Sequence, residues 1–92
     1  MWRKPLAWTV EWDKRAVKEL KKLSQQAKRD IVDYLNQHVH AAKNPKLVGK
    51  SLKGDKAGLW RYRVGKYRVI CHFEDKRCIV LVLRVSHRQS VY

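Results

Sequence analysis

The stretch from Leu59 to Phe73, LWRYRVGKYRVICHF, constrains the fold most, because it has the pattern of a β-hairpin. Apolar and polar side chains alternate on both sides of Gly65 and Lys66, which is the period of a strand with one buried face. Gly65 and Lys66 fit a two-residue turn, with glycine at a position that needs positive φ. This turn sets the register, which pairs residue 64 with 67, 63 with 68, 62 with 69, 61 with 70 and 60 with 71.

The register divides the hairpin into two faces of different chemistry. One face suits a hydrophobic core and consists of Trp60, Tyr62, Val64, Tyr67, Val69 and Cys71. The other face gathers Arg61, Arg63 and Arg68, with Arg63 directly opposite Arg68. Like charges directly opposite each other destabilise a sheet by up to about 1 kcal/mol. A pair of this kind indicates that the second face binds an anion.

The residues before the hairpin predict a strand and two helices. Trp8, Val10 and Trp12 alternate with polar residues in a short first strand that ends at Asp13, a residue able to cap a helix. Apolar residues then recur at helical spacing after Asp13 and again after Ser24. We expect two helices joined near Ser24 as a helical hairpin that lies on the sheet. A single long helix through Ser24 is the alternative.

The remaining segments predict a basic loop and a last strand. Residues 41–58 form the loop, in which Leu47 and Leu52 are expected to contact the core. The run from Cys78 to Val85, CIVLVLRV, is apolar without alternation, which is typical of a strand buried on both faces and central in its sheet. Pairing residue 73 with 78 would leave Cys71 and Cys78 diagonal and badly placed for a disulfide. Reduced thiols fit a cytoplasmic protein.

The charge of the chain favours a polyanionic partner. Its 92 residues, enough for one domain, include 22 Lys and Arg against 8 Asp and Glu, a formal net charge of +14 spread along the sequence. Such a field favours nucleic acid or an acidic protein. The leader MWRKPLAW lacks an apolar core, and 18 consecutive apolar residues occur nowhere, so neither export nor a membrane span is expected.

Several common kinds of site are not expected. His38 and His40 would point about 200° apart on a helix, so they cannot share a metal. The acidic residues fall mainly on the predicted helices and turns, so they form no acid and base pair on a strand. The sequence contains no P-loop, dinucleotide fingerprint or nucleophile elbow, and no cofactor is expected.

The candidate site residues are cations and proton carriers: Arg61, Arg63, Arg68, His87, Arg88 and Tyr92. Arginine forks bind phosphate bidentately and stabilise charge that develops on a phosphoryl group. RNA supplies its own nucleophile, because a 2′-hydroxyl held in line with the adjacent phosphorus can attack it. His87 or Tyr92 could transfer the protons. Each residue taken alone also fits a plain role, namely a solvated histidine, a terminal tyrosine, or arginines that only bind.

Four segments of this sequence, VEWDKRAVKELKKL, NPKLVGKSLKG, LWRYRVGKYRVI and VLRVSHRQSVY, resemble the RelE/ParE toxin superfamily and within it the RelE-type mRNA interferases. The resemblance implies an α+β fold in which an N-terminal helical hairpin packs on an antiparallel four-stranded sheet, in the order β-α-α-β-β-β, as one domain over residues 1–92. It implies a metal-independent endoribonuclease of a type II toxin-antitoxin system. Such an enzyme cleaves mRNA in the 30S A site of the ribosome by 2′-hydroxyl attack, leaving a 2′,3′-cyclic phosphate.

By position, the resemblance assigns the family's site to Arg61, Arg63, Arg68, Arg88 and Tyr92. The best-known members have lysines where this chain has the first two arginines, which stay protonated and are poor general bases. The spacing from Arg88 to Tyr92 is also shorter than in those members. His87 is therefore our candidate for proton transfer.

The resemblance also implies the partners of the protein. They are a cognate acidic antitoxin, mRNA with the ribosome, and operator DNA through the antitoxin complex. Two other functions are consistent with the sequence. One is a ParE-like toxin that inhibits DNA gyrase without catalysis, and the other is a nucleic-acid-binding module without chemistry. The arginine face together with HRQSVY favours the endoribonuclease, because a gyrase inhibitor has no evident need of either.

Overall fold

The computed structural model describes residues 8–41, 44–54 and 57–87. Its strands are β1 (Thr9–Trp12), β2 (Lys50–Ser51), β3 (Leu59–Val64), β4 (Tyr67–Glu74) and β5 (Ile79–His87), and its α-helices are α1 (Lys14–Lys21) and α2 (Gln25–Leu35). A π-helical turn (Asn36–His40) extends α2, and two 3₁₀ turns (Pro45–Leu47 and Asp75–Arg77) lie in the connections. The strand order is β1-β5-β4-β3-β2, with β1 parallel to β5 and the other pairs antiparallel.

The prediction of four antiparallel strands is wrong, because the sheet has five strands and is mixed. The additional strand, β2, pairs Lys50 with Arg61 and Ser51 with Trp60, and two residues are too few to show alternation in a sequence. The parallel pairing of β1 with β5 also leaves no signal in the periodicity, because side chains alternate equally in either strand direction.

Two capped helices form, as predicted, but they do not make an N-terminal helical hairpin. The Asp13 carboxylate accepts a hydrogen bond from the Arg15 N–H at 3.1 Å, and the Ser24 hydroxyl oxygen accepts one from the Ala27 N–H at 3.1 Å. Helix α1 packs on β5 and α2 packs on β3. The reason is that α1 spans only eight residues, and each helix buries its apolar side on the sheet rather than on the other helix.

The β3-β4 hairpin has the predicted register in every pair from Trp60 and Cys71 to Val64 and Tyr67. Gly65 has φ +57°, which confirms the need for glycine in this turn. The predicted pairing of residue 73 with 78 is wrong, since Phe73 lies opposite Val80. The 3₁₀ turn after Glu74 lengthens that connection beyond a tight turn.

Strand β5 contains a β-bulge at Leu83. Ile70 lies opposite Arg84 while its neighbour Cys71 lies opposite Val82, so Leu83 is an extra residue on β5. A bulge changes the phase of the side chains that follow it. Val82 and Val85 therefore both lie in the core, although they are three positions apart in the sequence. Strand β5 is an interior strand between β1 and β4, as expected for a strand buried on both faces. The central strand of the sheet, however, is β4 and not β5 as we predicted.

The connection before β3 is fastened by Pro45 and not, as we expected, by Leu47. Pro45 is buried and its carbonyl oxygen accepts a hydrogen bond of 2.6 Å from the hydroxyl of Tyr62, whereas Leu47 is 80% exposed. The Asn44 side chain caps the 3₁₀ turn and directs Pro45 inward. Lys46 adds an ion pair with Asp75 at 3.0 Å. Leu52 is half-buried.

Tyr62→Phe is expected to lower the free energy of unfolding by about 1–2 kcal/mol, because it leaves the buried Pro45 carbonyl without its donor. Chemical denaturation at neutral pH measures the change. Tyr34→Phe is the matched control, since the Tyr34 ring packs edge-on against the Tyr62 ring but is only half-buried. An unchanged stability of Tyr62→Phe would show that this hydrogen bond does not hold the connection.

Candidate functional site

The arginine face of the sheet carries two cross-strand pairs of cations, formed by Lys50, Arg61, Arg63 and Arg68. Lys50 lies opposite Arg61, and Arg63 lies opposite Arg68, as predicted. Side chains alternate across a strand, so these four lie on the face opposite the one that contributes Tyr62 to the core. Positions directly opposite each other across a ladder are about 4.5–5.5 Å apart, so Lys50 lies beside Arg61 and Arg63 lies beside Arg68.

Arg68 has a second neighbour across the sheet, because Ser86 of β5 lies directly opposite it. Arg63, Arg68 and Ser86 thus form one row across three strands, which we call the phosphate row. The Arg68 Nε and the Ser86 Oγ are buried and have no hydrogen-bond partner among the described residues. Leaving a buried polar atom unpaired destabilises a protein by about 1–3 kcal/mol, so two in one row call for an ordered water or a bound ligand as their partner.

Ser86 is a member of this row that sequence reasoning missed. The predicted pairing of residue 73 with 78 places Leu83 opposite Arg68, and the bulge adds a further shift. The signal that could have found Ser86 is the phase of the apolar residues, because Val82 and Val85 can share the core only if one residue between them is extra.

A cleft of about 270 Å³ opens beside the arginine face and is lined by Tyr34, Val48, Lys50, Arg61 and Arg63. It lies where β2 begins at Lys50, and the edge of β3 beyond Arg61 has no strand neighbour there among the described residues. This volume suits a phosphate group together with a few water molecules. One water molecule occupies about 30 Å³. Burial raises the pKa of Tyr34 from its usual value of 10.0, and its hydroxyl, which is protonated at neutral pH, can donate a hydrogen bond.

His87 does not join the arginine face. It lies opposite Tyr67 at the end of β5, and the two rings are 5.6 Å apart between centroids with an interplanar angle of 82°. Because Tyr67 and Arg68 are consecutive in a strand, His87 lies on the other side of the sheet from Arg68. Arg88 and Tyr92 lie outside the described residues. The structure therefore brings together three of the six residues that the sequence predicted.

Arg84, close to the site in sequence, is held by an ion pair with Glu19 of α1. Its Nε donates to both Glu19 carboxylate oxygens at 3.0 and 3.1 Å, and the Val85 N–H donates to the same carboxylate at 2.9 Å. Burial acts to raise the pKa of Glu19, but the hydrogen bonds from Arg84 and Val85 outweigh it and the pKa is lowered. Strand β1 ends opposite Val82, so β5 has no strand neighbour on that side beyond this point. Glu19 accepts the hydrogen bond of the Val85 N–H there.

The histidines of the π-helical turn are used in different ways. The His40 Nδ1 lies 2.7 Å from the Trp8 carbonyl oxygen, and the His38 ring lies 4.5 Å from the Tyr34 ring between centroids. Over residues 8–41, 44–54 and 57–87, His, Cys, Asp and Glu side chains form no group of three or more that could hold a metal. No helix in those ranges is long and apolar enough to cross a membrane. Cys71 and Cys78 are free thiols.

Comparisons with known proteins agree with this architecture. A family model described as "ParE toxin of type II toxin-antitoxin system, parDE" matches residues 10–92. The toxin RelG of Mycobacterium tuberculosis is 30% identical over 87 residues, which cover 95% of this chain and 98% of that protein. The crystal structure of the M. tuberculosis toxin-antitoxin complex RelBE2 superposes with a TM-score of 0.78 at 30% identity, covering 95% of this chain and 98% of that chain.

More distant structures share the fold alone. The RelE-RelB complex of the archaeon Pyrococcus horikoshii has a TM-score of 0.70 at 24% identity, over 92% of this chain and 99% of that chain. The isolated E. coli RelE toxin has a TM-score of 0.73 at 21% identity, over 92% of this chain and 88% of that chain. The family model and the relative at 30% identity each span most of the sequence. The chain therefore belongs to the RelE/ParE superfamily of toxins from type II toxin-antitoxin systems.

Proposed function

We propose that this toxin is an endoribonuclease that cleaves mRNA in the A site of the ribosome. The observation that carries the proposal is the pairing of Arg63 with Arg68 on a face that also presents Arg61. Such a concentration of guanidinium groups on a rigid sheet is matched to a phosphodiester, whose oxygens accept bidentate hydrogen bonds. No bound metal is needed for this chemistry, because the attacking group belongs to the RNA.

In the proposed reaction the 2′-oxygen of the RNA forms a bond to the adjacent phosphorus as the bond from phosphorus to the 5′-oxygen breaks. The 2′-hydroxyl loses its proton to a base, and the leaving 5′-oxygen gains one. The products are a 2′,3′-cyclic phosphate and a 5′-hydroxyl. Arg61, Arg63 and Arg68 neutralise the charge that develops on the phosphoryl oxygens, and as arginines they stay protonated throughout.

Residues at the C-terminus are proposed to complete the site. By resemblance, Arg88 supports the leaving group and Tyr92 stacks on a base or orients the 2′-hydroxyl. Proton transfer by His87 remains a prediction, and it requires the end of β5 to turn its ring from Tyr67 toward the substrate. Comparison of His87→Gln with wild-type protein in the cleavage assay tests that role.

An antitoxin is the proposed protein partner. The matched M. tuberculosis structure is a toxin-antitoxin complex, and the net charge of +14 favours an acidic chain. A partly disordered antitoxin that folds onto the toxin could cover the arginine face or displace the C-terminal residues. Binding of operator DNA by the toxin-antitoxin pair is a further part of this proposal.

The deciding experiment maps the 5′ ends of mRNA in translating ribosomes treated with the purified toxin. New 5′-hydroxyl ends within the A-site codon are expected, with a 2′,3′-cyclic phosphate on the upstream fragment. Free mRNA without ribosomes is the control for nonspecific cleavage. Intact message on active ribosomes at high toxin concentration would exclude this function.

Inhibition of DNA gyrase is the second candidate, because the family model that matches residues 10–92 is named for ParE. A supercoiling assay with purified gyrase, run on the same toxin preparation, separates the two. The endoribonuclease predicts unchanged supercoiling. Inhibition of gyrase together with intact message would establish the alternative.

A further inference from the structure

We propose that the Ser86 hydroxyl is a phosphate ligand that acts with Arg68 in the phosphate row. This inference rests on the proposed function in taking the arginine face as the face that binds RNA. It adds a donor from β5 to a site otherwise built from the β3-β4 hairpin. The ligand chemistry is a tetrahedral phosphodiester oxyanion.

The first support is the position of Ser86. It lies directly opposite Arg68, which lies directly opposite Arg63, so the three side chains stand side by side on one face of three consecutive strands. Strands β3, β4 and β5 are adjacent in the sheet and β4 and β5 are paired along almost their full length. The backbone therefore fixes the spacing of the row before any ligand binds.

The second support is the state of the polar atoms. The Arg68 Nε and the Ser86 Oγ are both buried and both without a hydrogen-bond partner among the described residues. An N–H of arginine can only donate, and a serine hydroxyl can donate as well. Two unsatisfied donors on adjacent strands are complementary to one oxyanion, which accepts from both once the Arg68 side chain shifts and exposes them.

The contrast with Arg84 sharpens the argument. Arg84 lies two residues before Ser86 on the same strand, and its guanidinium group is engaged by the Glu19 carboxylate. The carboxylate that α1 supplies there has no counterpart at Arg68, whose Nε has no acceptor in the described protein. An external anion fills the same role at Arg68 that Glu19 fills at Arg84.

The test is a titration of the ¹⁵N-labelled full chain with inorganic phosphate and with a DNA trinucleotide, which lacks the 2′-hydroxyl and cannot be cleaved. Ser86→Ala is expected to raise the dissociation constant for both probes about tenfold, through loss of one hydrogen bond to an anion. Ser51→Ala is the matched control, since Ser51 pairs with Trp60 and lies on the other face of the same sheet. A sodium chloride titration separates specific binding from screening.

Thermal unfolding gives an independent readout. If the Ser86 hydroxyl had a purely structural role, Ser86→Ala would lower the midpoint temperature of unfolding. Removal of an unsatisfied buried hydroxyl instead leaves this midpoint unchanged or raises it. If Ser86→Ala does not fold, Ser86→Cys keeps the size of the side chain with a much weaker donor and is expected to show the same loss of affinity. Unchanged dissociation constants in the folded variant, with Arg68→Ala defective, would overturn the proposal.

These measurements are separable from the proposed function because they need neither ribosomes nor cleavage. Weakened phosphate binding by Ser86→Ala in a toxin that never cuts mRNA would leave this inference standing and remove the endoribonuclease. If the toxin cleaves mRNA and Ser86→Ala does not change phosphate binding, the endoribonuclease is supported and the role of Ser86 is excluded.

Discussion

Arg68→Ala is expected to lower the rate of mRNA cleavage on the ribosome by about 10²- to 10³-fold, as removal of one oxyanion-stabilising donor does in other enzymes. Arg68 lies between Arg63 and Ser86, so its loss removes the centre of the phosphate row. The fold is expected to remain, because the substitution also relieves the repulsion between Arg63 and Arg68. Single-turnover cleavage on programmed ribosomes measures the first effect, and thermal unfolding measures the second.

Two further variants make this result specific. Arg77→Ala removes an exposed arginine of the turn after β4, whose partner is Glu74, and is expected to cleave at the wild-type rate. Arg68→Lys keeps the charge but loses the Nε donor and the bidentate fork, so an intermediate rate is expected. Full activity of Arg68→Ala would mean that the arginine face does not hold the scissile phosphate.

Glu19→Ala is expected to lower the free energy of unfolding by about 2 kcal/mol, since it removes the carboxylate that accepts hydrogen bonds from the Arg84 guanidinium group and the Val85 N–H. The two side chains are 21% and 28% exposed, so water reaches part of the pair and limits the effect. Urea unfolding at pH 7 measures it. Glu11→Ala, at an exposed position on β1, is the control and is expected to change stability little.

The effect of Glu19 also has a defined pH dependence. Its pKa in the folded protein is lowered from the usual value of 4.5, so the carboxylate stabilises the fold at any pH above that value. As the pH falls below 4.5 and through the lowered pKa, the folded protein takes up the proton and the contribution disappears. The stability difference between wild type and Glu19→Gln should therefore be constant from pH 7 to 6 and vanish in acid. A stability difference that grows as the pH falls below 4.5 would contradict this account.

Local signals in the sequence predicted the local structure well. The Asp13 and Ser24 caps, the Gly65 turn and the register of the β3-β4 hairpin all depend on contacts within a few residues, and the structure confirms them. Pairings between distant segments were not predictable in the same way. The two-residue strand β2 and the parallel partner of β1 are chosen by tertiary packing, which leaves no periodic signal.

The residues of the candidate site also differ in whether local sequence signals could place them. Arg61, Arg63 and Arg68 share a hairpin, so alternation and turn geometry were enough to place them on one face. Ser86, Tyr34 and Lys50 reach the site from other elements, and their placement depends on the β4-β5 register, the position of α2 and the pairing of β2. His87 lies opposite Tyr67 on the other face, because the bulge at Leu83 shifts the phase of the end of β5.

The bulge at Leu83 makes β5 two half-strands of opposite phase. If the period of Val80 and Val82 continued without it, Arg84 would point into the core and Val85 outward. An alignment with a relative that lacks this bulge therefore needs a one-residue gap at Leu83, or residues from opposite faces of the sheet will be compared. Chimaeras that exchange C-terminal segments between toxins should be joined after Val85. At that point the alternation of side chains after the bulge is established, and Ser86 lies on the arginine face.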